Sequence, residues 1–186
     1  MNGGFKDILQ VKNFLTKEEC NFLLEKYKNE LNLLKATVGK DVVVLNKRKS
    51  SVGFIDKIDE LDEKLINILK KSILVKGFEV TKLGKYQFTE YKEGDFYEWH
   101  TDGDETLYSD RYCSIVIQLN DEYKNGELEM ITSNNELLVI EKGIGNLAIF
   151  LSSKKHRVTP VTNGVRYTLV NWVGVKKIEN FKKTML

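Results

Sequence analysis

The chain has only two histidines, His100 and His156, so imidazole chemistry is confined to two of its 186 positions. His100 and Asp102 lie two residues apart at the end of a predicted strand, in which side chains alternate between faces. Both side chains would therefore point the same way, with their backbones roughly 6–7 Å apart. His156 follows the apolar run at 147–151. Two imidazoles and one carboxylate, which leave three coordination positions open, are the ligand set of non-haem Fe(II) oxygenases.

The same residues also have a simpler interpretation. A chain of this composition contains a His-x-Asp pair by chance about one time in ten. His100 would then be a surface histidine at a strand end, and His156 would be a residue of a turn.

The strand predicted at 165–173 adds an arginine to the candidate site. Alternation places Arg166, Thr168, Val170 and Trp172 on one face. If that face lines a barrel, the guanidinium needs an anionic partner, because an unpaired buried charge is very costly. No acidic residue of this strand can supply one, whereas a small carboxylate ligand could bind Arg166 and accept a hydrogen bond from Thr168. Alternatively, Arg166 extends to the surface at the end of the barrel.

Hydrophobic spacing predicts two helices in the first part of the chain. From Thr16 to Leu34, apolar residues recur with the period of an amphipathic helix, and Thr16 with Glu19 forms a predicted capping box. A second helix is predicted at 57–70, with Asp56 as its N-cap.

Beyond residue 78 the pattern changes to short runs rich in Val, Ile, Tyr, Phe and Thr. Glycine, asparagine and aspartate interrupt these runs at roughly 8- to 12-residue intervals, which predicts an all-β barrel or a double-sheet jelly roll. The helices would cover one outer sheet face, and earlier strands at 8–11, 41–45 and 50–55 would extend that sheet. The later strands are predicted at 78–91, 112–119, 126–132, 136–141, 146–151 and 165–173.

Composition limits the partners that the chain is expected to have. The formal net charge of +2 is too balanced for a dedicated nucleic-acid or membrane surface. No apolar run approaches the roughly 18 residues of a membrane span, and the first residues form no hydrophobic signal region. Cys20 and Cys113 lie far apart, which excludes a thiolate zinc cluster and favours a reducing, cytoplasmic setting. We therefore expect neither nucleic acid nor a membrane as a partner.

We expect one domain over residues 1–186, because the chain has one proline, no proline-rich linker and no fixed-period repeat. Residues 1–77 would support the core with helices and strands, residues 78–175 would form the core, and residues 176–186 would form a basic tail.

Several motifs occur in a characteristic order between about residues 86 and 173. They are Tyr91-x-x-Gly94-x-x-Tyr97-x-x-His100-x-Asp102, Arg111, Gln118-Leu119-Asn120-Asp121, Asn125-Gly126-Glu127-Leu128, His156-x-Val158-x-Pro160, Arg166-x-Thr168 and Trp172. In this order they resemble the Fe(II)- and 2-oxoglutarate-dependent dioxygenases, in the prolyl-4-hydroxylase-like branch. Within that branch the chain is most similar to oxygen-sensing prolyl hydroxylases and bacterial PKHD-type hydroxylases. Such relatives usually have two glycines where this chain has Asn125-Gly126, and collagen-type enzymes usually have lysine in place of Arg166.

The resemblance implies a double-stranded β-helix, or jelly-roll, core with iron held by His100, Asp102 and His156. It also implies that Arg166 binds the distal carboxylate of 2-oxoglutarate, with Thr168 beside it.

Three further residues have roles that follow from the resemblance. Tyr91 matches the family tyrosine that hydrogen-bonds the cosubstrate from the preceding strand. Gln118 occupies a position where some relatives have a cosubstrate-binding tyrosine. Trp172 is expected to pack within the barrel.

The implied cofactors are Fe(II) and 2-oxoglutarate, with O2 as cosubstrate and ascorbate as a candidate reductant. The implied reaction hydroxylates a substrate C–H bond and releases succinate and CO2. A prolyl or other side chain of a protein or peptide is the first expected substrate, and a free amino acid or another small molecule is the alternative. A third hypothesis is a non-catalytic jelly-roll binding module, against which the presence of His100, Asp102, His156 and Arg166 together argues. The polar loop 103–110 is expected to be a solvated loop or a lid over a peptide substrate.

Overall fold

The computed structural model describes residues 7–37, 44–103 and 108–178, with only the backbone described for residues 108 and 109. In these ranges the chain forms two α-helices, one short 3-10 helix at Ile73–Val75 and fifteen strands. The helices are α1 (Lys17–Glu30) and α2 (Asp59–Leu69). The strands are β1 (Ile8–Val11), β2 (Leu34–Lys35), β3 (Arg48–Lys49), β4 (Ser51–Ile55), β5 (Phe78–Leu83), β6 (Tyr86–Tyr91), β7 (Phe96–His100), β8 (Tyr108–Gln118), β9 (Tyr123–Asn125), β10 (Leu128–Ile131), β11 (Leu137–Val139), β12 (Leu147–Leu151), β13 (His156–Val158), β14 (Val161–Gly164) and β15 (Arg166–Lys177).

Two antiparallel sheets form the core of the fold. The larger sheet has the order β1-β12-β8-β15-β6-β4-β2, and β5 also pairs with β15. The smaller sheet has the order β11-β10-β13-β7-β3, and β9 pairs with β14 in a separate ribbon. A hydrophobic cluster joins the two sheets, since it contains Val116 and Phe150 of the larger and Met130 and Val158 of the smaller. The predicted mainly β fold with a double-stranded β-helix core is confirmed.

The two helices cover the outer face of the larger sheet. Leu23 of α1 and Leu65 of α2 belong to one buried cluster with Phe88, Ile115 and Leu169 of the sheet. The predicted arrangement of helices on one sheet is therefore observed, and the opposite sheet face remains available for a site between the sheets.

The helix boundaries differ from the predictions at one end of each helix. The predicted capping box of α1 is present, because the Thr16 hydroxyl accepts from the Glu19 amide and the Glu19 carboxylate accepts from the Thr16 amide. However, α1 ends at Glu30, because Leu31 adopts an extended backbone conformation. The predicted cap of α2 is wrong: the helix begins at Asp59, and the Asp56 carboxylate pairs with Lys85 instead.

The predicted strands are found with changed limits. The run predicted at 78–91 consists of β5 and β6, which are separated by Gly84 and Lys85. Strands predicted at 8–11 and 50–55 correspond to β1 and β4. Of the strand predicted at 41–45, residues 41–43 lie outside the described residues and the other two are not in a strand.

The last strand extends further than predicted. Lys176 and Lys177, which were predicted to begin a basic tail, end β15 and pair with β5. Residues 179–186 of the predicted tail lie outside the described residues. None of the helices in the described ranges is long and apolar enough to cross a membrane.

Strand β15 divides its side chains between the helix-covered core and the space between the sheets. Leu169 and Val173 belong to the helix-covered cluster, whereas Arg166, Thr168 and Trp172 line a cavity on the other side. Pairing with β6 on one edge and β8 on the other fixes the strand's register. Because a slip of one residue would exchange the two faces, this pairing determines which side chains reach the cavity.

Candidate metal centre and cosubstrate pocket

A cavity of about 690 Å³ lies between the two sheets. Its lining includes His100, Asp102 and His156, and also Arg166 and Thr168. The structure thus brings six of the seven candidate site residues into one space. Tyr91 also lines the cavity, whereas the Gln118 side chain does not.

The ligand atoms of His100, Asp102 and His156 lie within 4.8 Å of one another. The Nε2 atoms of His100 and His156 are each 3.5 Å from a carboxylate oxygen of Asp102. The Nδ1 atoms are directed at backbone carbonyls, 2.7 Å from Glu98 and 2.9 Å from Lys154. An Nδ1–H that donates to a carbonyl leaves the Nε2 lone pair free for a metal. The donor set of two nitrogens and one carboxylate therefore fits Fe(II).

Hydrogen bonds from the opposite sheet hold the Asp102 carboxylate in place. Its Oδ2 accepts from the Ser114 hydroxyl at 2.7 Å and from the Trp172 indole at 3.0 Å. Ser152 completes this support, since its hydroxyl lies 2.8 Å from that of Ser114 and its carbonyl accepts from the Asp102 amide. The expected role of Trp172 as barrel packing was incomplete, because its indole also orients a candidate metal ligand.

The protonation states of the triad suit a metal site. Burial raises the pKa of Asp102, but hydrogen bonds and charge from His100 and His156 outweigh it and hold this pKa well below its usual value. Burial lowers the pKa of His100, which favours a neutral imidazole. Deprotonated carboxylate and neutral imidazole are the forms that bind a metal ion.

A β-bulge places Tyr97 beside the triad. His156 pairs with His100 and Val158 pairs with Tyr97, so two residue steps on β13 face three steps on β7. The extra residue lets both Tyr97 and His100 face the cavity, and their rings stack at 3.5 Å with a 15° interplanar angle. Strict alternation along β7 does not predict this contact.

Arg166 lies at the start of β15 with 2% of its surface exposed. Its guanidinium lies 5.3 Å from the Tyr91 ring centre, and it forms no ion pair with a described residue. Tyr123 is a second phenol beside Arg166. Burial raises the pKa of Tyr123, although Arg166 acts to lower it. Arg166 Nε and Thr168 Oγ1 are buried and have no hydrogen-bond partner in the described part of the chain. Because an unpaired buried donor costs about 1–3 kcal/mol, these atoms fit a ligand carboxylate such as that of 2-oxoglutarate.

The turn at 125–126 makes room for Arg166. Gly126 has φ +69°, and a Cβ there would lie 2.8 Å from Val161 Cγ2 and 3.3 Å from Arg166 Cδ. Asn125, which stands where relatives usually have a second glycine, also has positive φ at 56°. Asparagine tolerates this left-handed conformation better than most residues, so the substitution preserves the turn.

Gln118 does not belong to the pocket. It lies opposite Thr168 on β8, but its amide donates to the Glu141 carbonyl and accepts from the Gly143 amide. These bonds hold the side chain against the 141–143 loop, so the predicted cosubstrate contact is not supported. For the predicted lid, residues 104–107 lie outside the described residues.

Comparison with known proteins identifies the family. The profile of the 2OG-Fe(II) oxygenase superfamily matches residues 86–174. A PKHD-type hydroxylase of Rippkaea orientalis is 30% identical over 179 residues, which cover 89% of this chain and 78% of the relative. The chain belongs to the 2OG-Fe(II) oxygenase superfamily. Two other PKHD-type hydroxylases match over shorter stretches, and the chain spans only 41% and 38% of their lengths.

Solved structures of prolyl hydroxylases share the fold of this oxygenase chain. A Pseudomonas putida prolyl-4-hydroxylase is similar with a TM-score of 0.73 and 23% identity, over 90% of this chain and 92% of that one. A Trichoplax adhaerens prolyl hydroxylase, in complex with a hypoxia-inducible-factor peptide fragment, has a TM-score of 0.73 and 18% identity, over 91% and 84%. The superfamily's name specifies Fe(II) and 2-oxoglutarate, for which the triad and Arg166 provide matching groups.

Proposed function

We propose that this protein is an Fe(II)- and 2-oxoglutarate-dependent hydroxylase of a prolyl or other side chain in a protein or peptide. One observation carries the proposal: a single cavity contains three metal-ligating side chains and a buried arginine with an unpaired Nε. A metal ion and a dicarboxylate would satisfy both sets of groups at once.

Each residue has a defined task in the proposed reaction. Bound Fe(II) would activate O2 with 2-oxoglutarate, so that succinate and CO2 are released and a substrate C–H bond is hydroxylated. His100, Asp102 and His156 would hold the ion through two imidazole nitrogens and one carboxylate oxygen. Arg166, with Thr168 beside it, would bind the distal carboxylate and so fix one orientation of the keto acid.

Tyr91 would help to position the cosubstrate at the arginine end. Its ring lies beside the Arg166 guanidinium, and the two residues are paired in adjacent strands. The apolar groups of Val116, Val158 and Val170 line the same cavity and would exclude water from the reacting groups.

The peptide substrate is supported by the size of the cavity and by the relatives. About 690 Å³ is in the range of drug-sized ligand sites, so a five-carbon dicarboxylate would leave room for part of a second molecule. The Trichoplax adhaerens relative has a peptide bound. Hydroxylation of a free amino acid or another small molecule is the alternative, and a non-catalytic binding module is the third.

The proposal extends to the whole chain and to its location. We propose that residues 1–186 act as one dioxygenase domain, because β1, β2 and β4 from the first 77 residues are strands of the larger sheet. A cytoplasmic location is supported by Cys20 and Cys113, which are both buried and are not joined to each other.

The experiment is a turnover assay of the full chain with Fe(II), 2-oxoglutarate, O2 and ascorbate against a library of proline-containing peptides. Succinate is quantified, and mass spectrometry detects peptides that gain one oxygen atom. The matched control is His156→Ala, which removes one metal ligand. Hydroxylated peptide with wild type alone is the expected result. Oxygen gain confined to amino acids would favour the small-molecule alternative, and equal succinate from both proteins would favour the binding module.

A further inference from the structure

The wall of the cavity has more positive charge than the proposed cofactors require. Among the described lining residues, Asp102 is the one carboxylate, whereas four side chains are cationic. The cations are Lys35, Arg48, Arg111 and Arg166. With Fe(II) and dianionic 2-oxoglutarate bound, the charges of iron, Asp102, Arg166 and cosubstrate would cancel. The charge of Arg48, which forms no ion pair with a described residue, therefore remains for the substrate.

Apart from Arg166, Arg48 is the only buried cation among the described residues that line the cavity. It is 8% exposed, and its Nε donates to the Ser50 hydroxyl at 3.0 Å. Its guanidinium carbon lies 4.6 Å from the centre of the Tyr97 ring, which in turn stacks on His100. Two ring contacts thus connect this guanidinium to a metal ligand.

The aromatic contact does not neutralise Arg48. A cation over a ring gains about 0.5–2 kcal/mol but retains its full charge. In the described ranges of the chain, no carboxylate forms an ion pair with Arg48. A buried guanidinium that faces a cavity without an acidic partner is suited to bind an anion from outside the chain.

The opening of the same cavity has an apolar rim. Leu34 on β2 and Phe54 on β4 both line the cavity, and they are 66% and 56% exposed. Large exposed apolar side chains beside a cation would be covered by a ligand that extends beyond the cavity. A peptide with an acidic residue provides a carboxylate for Arg48 and further side chains to cover this rim, whereas a free amino acid has fewer groups to do both.

We propose that the substrate presents a carboxylate to Arg48, beside the residue that is hydroxylated. This inference rests on the proposed function and names its substrate class. The carboxylate belongs to an acidic side chain of a peptide or to the α-carboxylate of a free amino acid, and the apolar rim favours the acidic peptide.

The test compares two peptides that differ in one group, Asp or Asn next to the same proline. We expect kcat/KM to be at least about tenfold higher for the Asp peptide, since hydrogen bonds to charged groups are strong. Arg48→Gln should abolish this preference while Fe(II) affinity and the KM for 2-oxoglutarate stay unchanged. Arg48→Lys should retain part of it. The matched control is Lys49→Gln on the same strand, because Lys49 pairs with Asp95 and does not line the cavity.

Binding provides a readout that does not depend on turnover. The two peptides are titrated into the full chain loaded with Zn(II) and 2-oxoglutarate, and the dissociation constants are compared. A preference for the Asp peptide of about tenfold, lost in Arg48→Gln, supports the proposal even if iron turnover fails. Equal dissociation constants and equal kcat/KM for the two peptides would overturn it.

The remaining outcomes separate this inference from the proposed function. If neither peptide binds or reacts, free proline and prolinamide are compared in both assays. Selectivity for proline that is lost in Arg48→Gln supports a carboxylate from an amino acid. If uncharged substrates are hydroxylated without such selectivity, the inference that the substrate presents a carboxylate is overturned, and the proposed function is retained. Absence of selective binding and of all 2-oxoglutarate turnover would overturn both.

Discussion

At the metal end of the cavity the polar groups are satisfied by protein partners, whereas at the Arg166 end two buried polar atoms have none. His100, Asp102 and His156 are each oriented by hydrogen bonds to a carbonyl, a hydroxyl or an indole. Arg166 Nε and Thr168 Oγ1 lack any partner among the described residues. The protein thus prepares the metal ligands in advance, while the other end depends on a ligand to complete its hydrogen bonds.

This difference has an energetic consequence. Oriented ligands lower the cost of binding a metal, because little reorganisation is needed when the ion arrives. The unpaired buried Nε of Arg166 destabilises the free protein, and part of that cost is recovered when a carboxylate binds. Substitutions at the two ends should therefore have opposite effects on the unliganded protein.

Asp102→Asn should have the largest effect. Ser114 and Trp172 both donate to this side chain, so the Asn carbonyl would face them and its NH2 group would face the metal site. An NH2 group does not ligate Fe(II). We therefore expect the affinity for Fe(II) to fall at least about 100-fold, which is more than the loss of a residue that only hydrogen-bonds to a ligand would cause. Calorimetric titration with Fe(II) under anaerobic conditions measures this loss. The buried Asp95→Asn, which is outside the triad, is the control and should retain affinity.

Arg166→Met should sharpen the contrast from the opposite end. We expect the KM for 2-oxoglutarate to rise roughly 10- to 150-fold, since a charged hydrogen bond contributes about 1.5–3 kcal/mol. The Tm of the unliganded protein should stay the same or increase, because an unpaired buried donor is removed. The increase in Tm that 2-oxoglutarate produces should disappear. A large decrease in the unliganded Tm would instead show that the contacts of Arg166 with Tyr91 and Tyr123 stabilise the free protein more than the unpaired Nε destabilises it. Arg166→Lys should give an intermediate KM.

Trp172→Phe tests the support of the metal end. The substitution keeps an aromatic ring on β15 but removes the indole N–H that donates to Asp102 Oδ2 at 3.0 Å. We expect Fe(II) affinity to fall about tenfold, the lower range for the loss of an outer hydrogen bond to a ligand. The KM for 2-oxoglutarate should change little. Equal losses in both quantities would mean that the ring acts through packing.

Asp7→Asn should have the smallest effect, because Asp7 supports the metal end from further away. Its carboxylate accepts from the amide and hydroxyl of Ser133, both at 2.7 Å, and lies 3.4 Å from Lys154 Nζ. Burial raises the pKa of Asp7, but these hydrogen bonds and the lysine outweigh it, so its pKa is lowered. The stabilisation is therefore present above the unfolded pKa and lost as pH falls through the folded one.

We expect Asp7→Asn to decrease the free energy of unfolding by about 1 kcal/mol at pH 7. The difference should decrease as pH falls below about 4, the unfolded pKa, and vanish below the lower folded pKa. Urea denaturation at several pH values measures it. A difference that does not change with pH would show that the Asp7 charge is not responsible.

Local sequence patterns predicted the parts of the structure that depend on neighbouring residues. The capping box needs only Thr16 and Glu19, and it is present. The alternation of β15 placed Arg166, Thr168 and Trp172 on one face, which is the face that lines the cavity. Such features follow from strand and helix periodicity and need no tertiary information.

Features that depend on distant partners were not predictable in this way. Trp172 lies 70 positions from Asp102, and Ser114 reaches the same carboxylate from another strand. The bulge beside His100 changes which residues face the cavity, and the commitment of Gln118 to the 141–143 loop depends on a contact formed only in the fold. No motif near Arg48 in the sequence suggests a site, because its contact with Tyr97 joins two separate strands.

The fixed register of β15 limits the positions from which an arginine on this strand can reach the pocket. Arg166 reaches the cavity from a strand whose neighbours on both edges fix its register. The neighbouring positions on this face of the strand lie about 7 Å away. Moving the arginine to one of them would therefore shift it by far more than the length of one carbon–carbon bond. A keto diacid one carbon longer or shorter than 2-oxoglutarate therefore cannot be matched by shifting Arg166 along the strand. In the proposed binding mode of Arg166, the spacing of residues along the strand would set the cosubstrate length that the pocket selects.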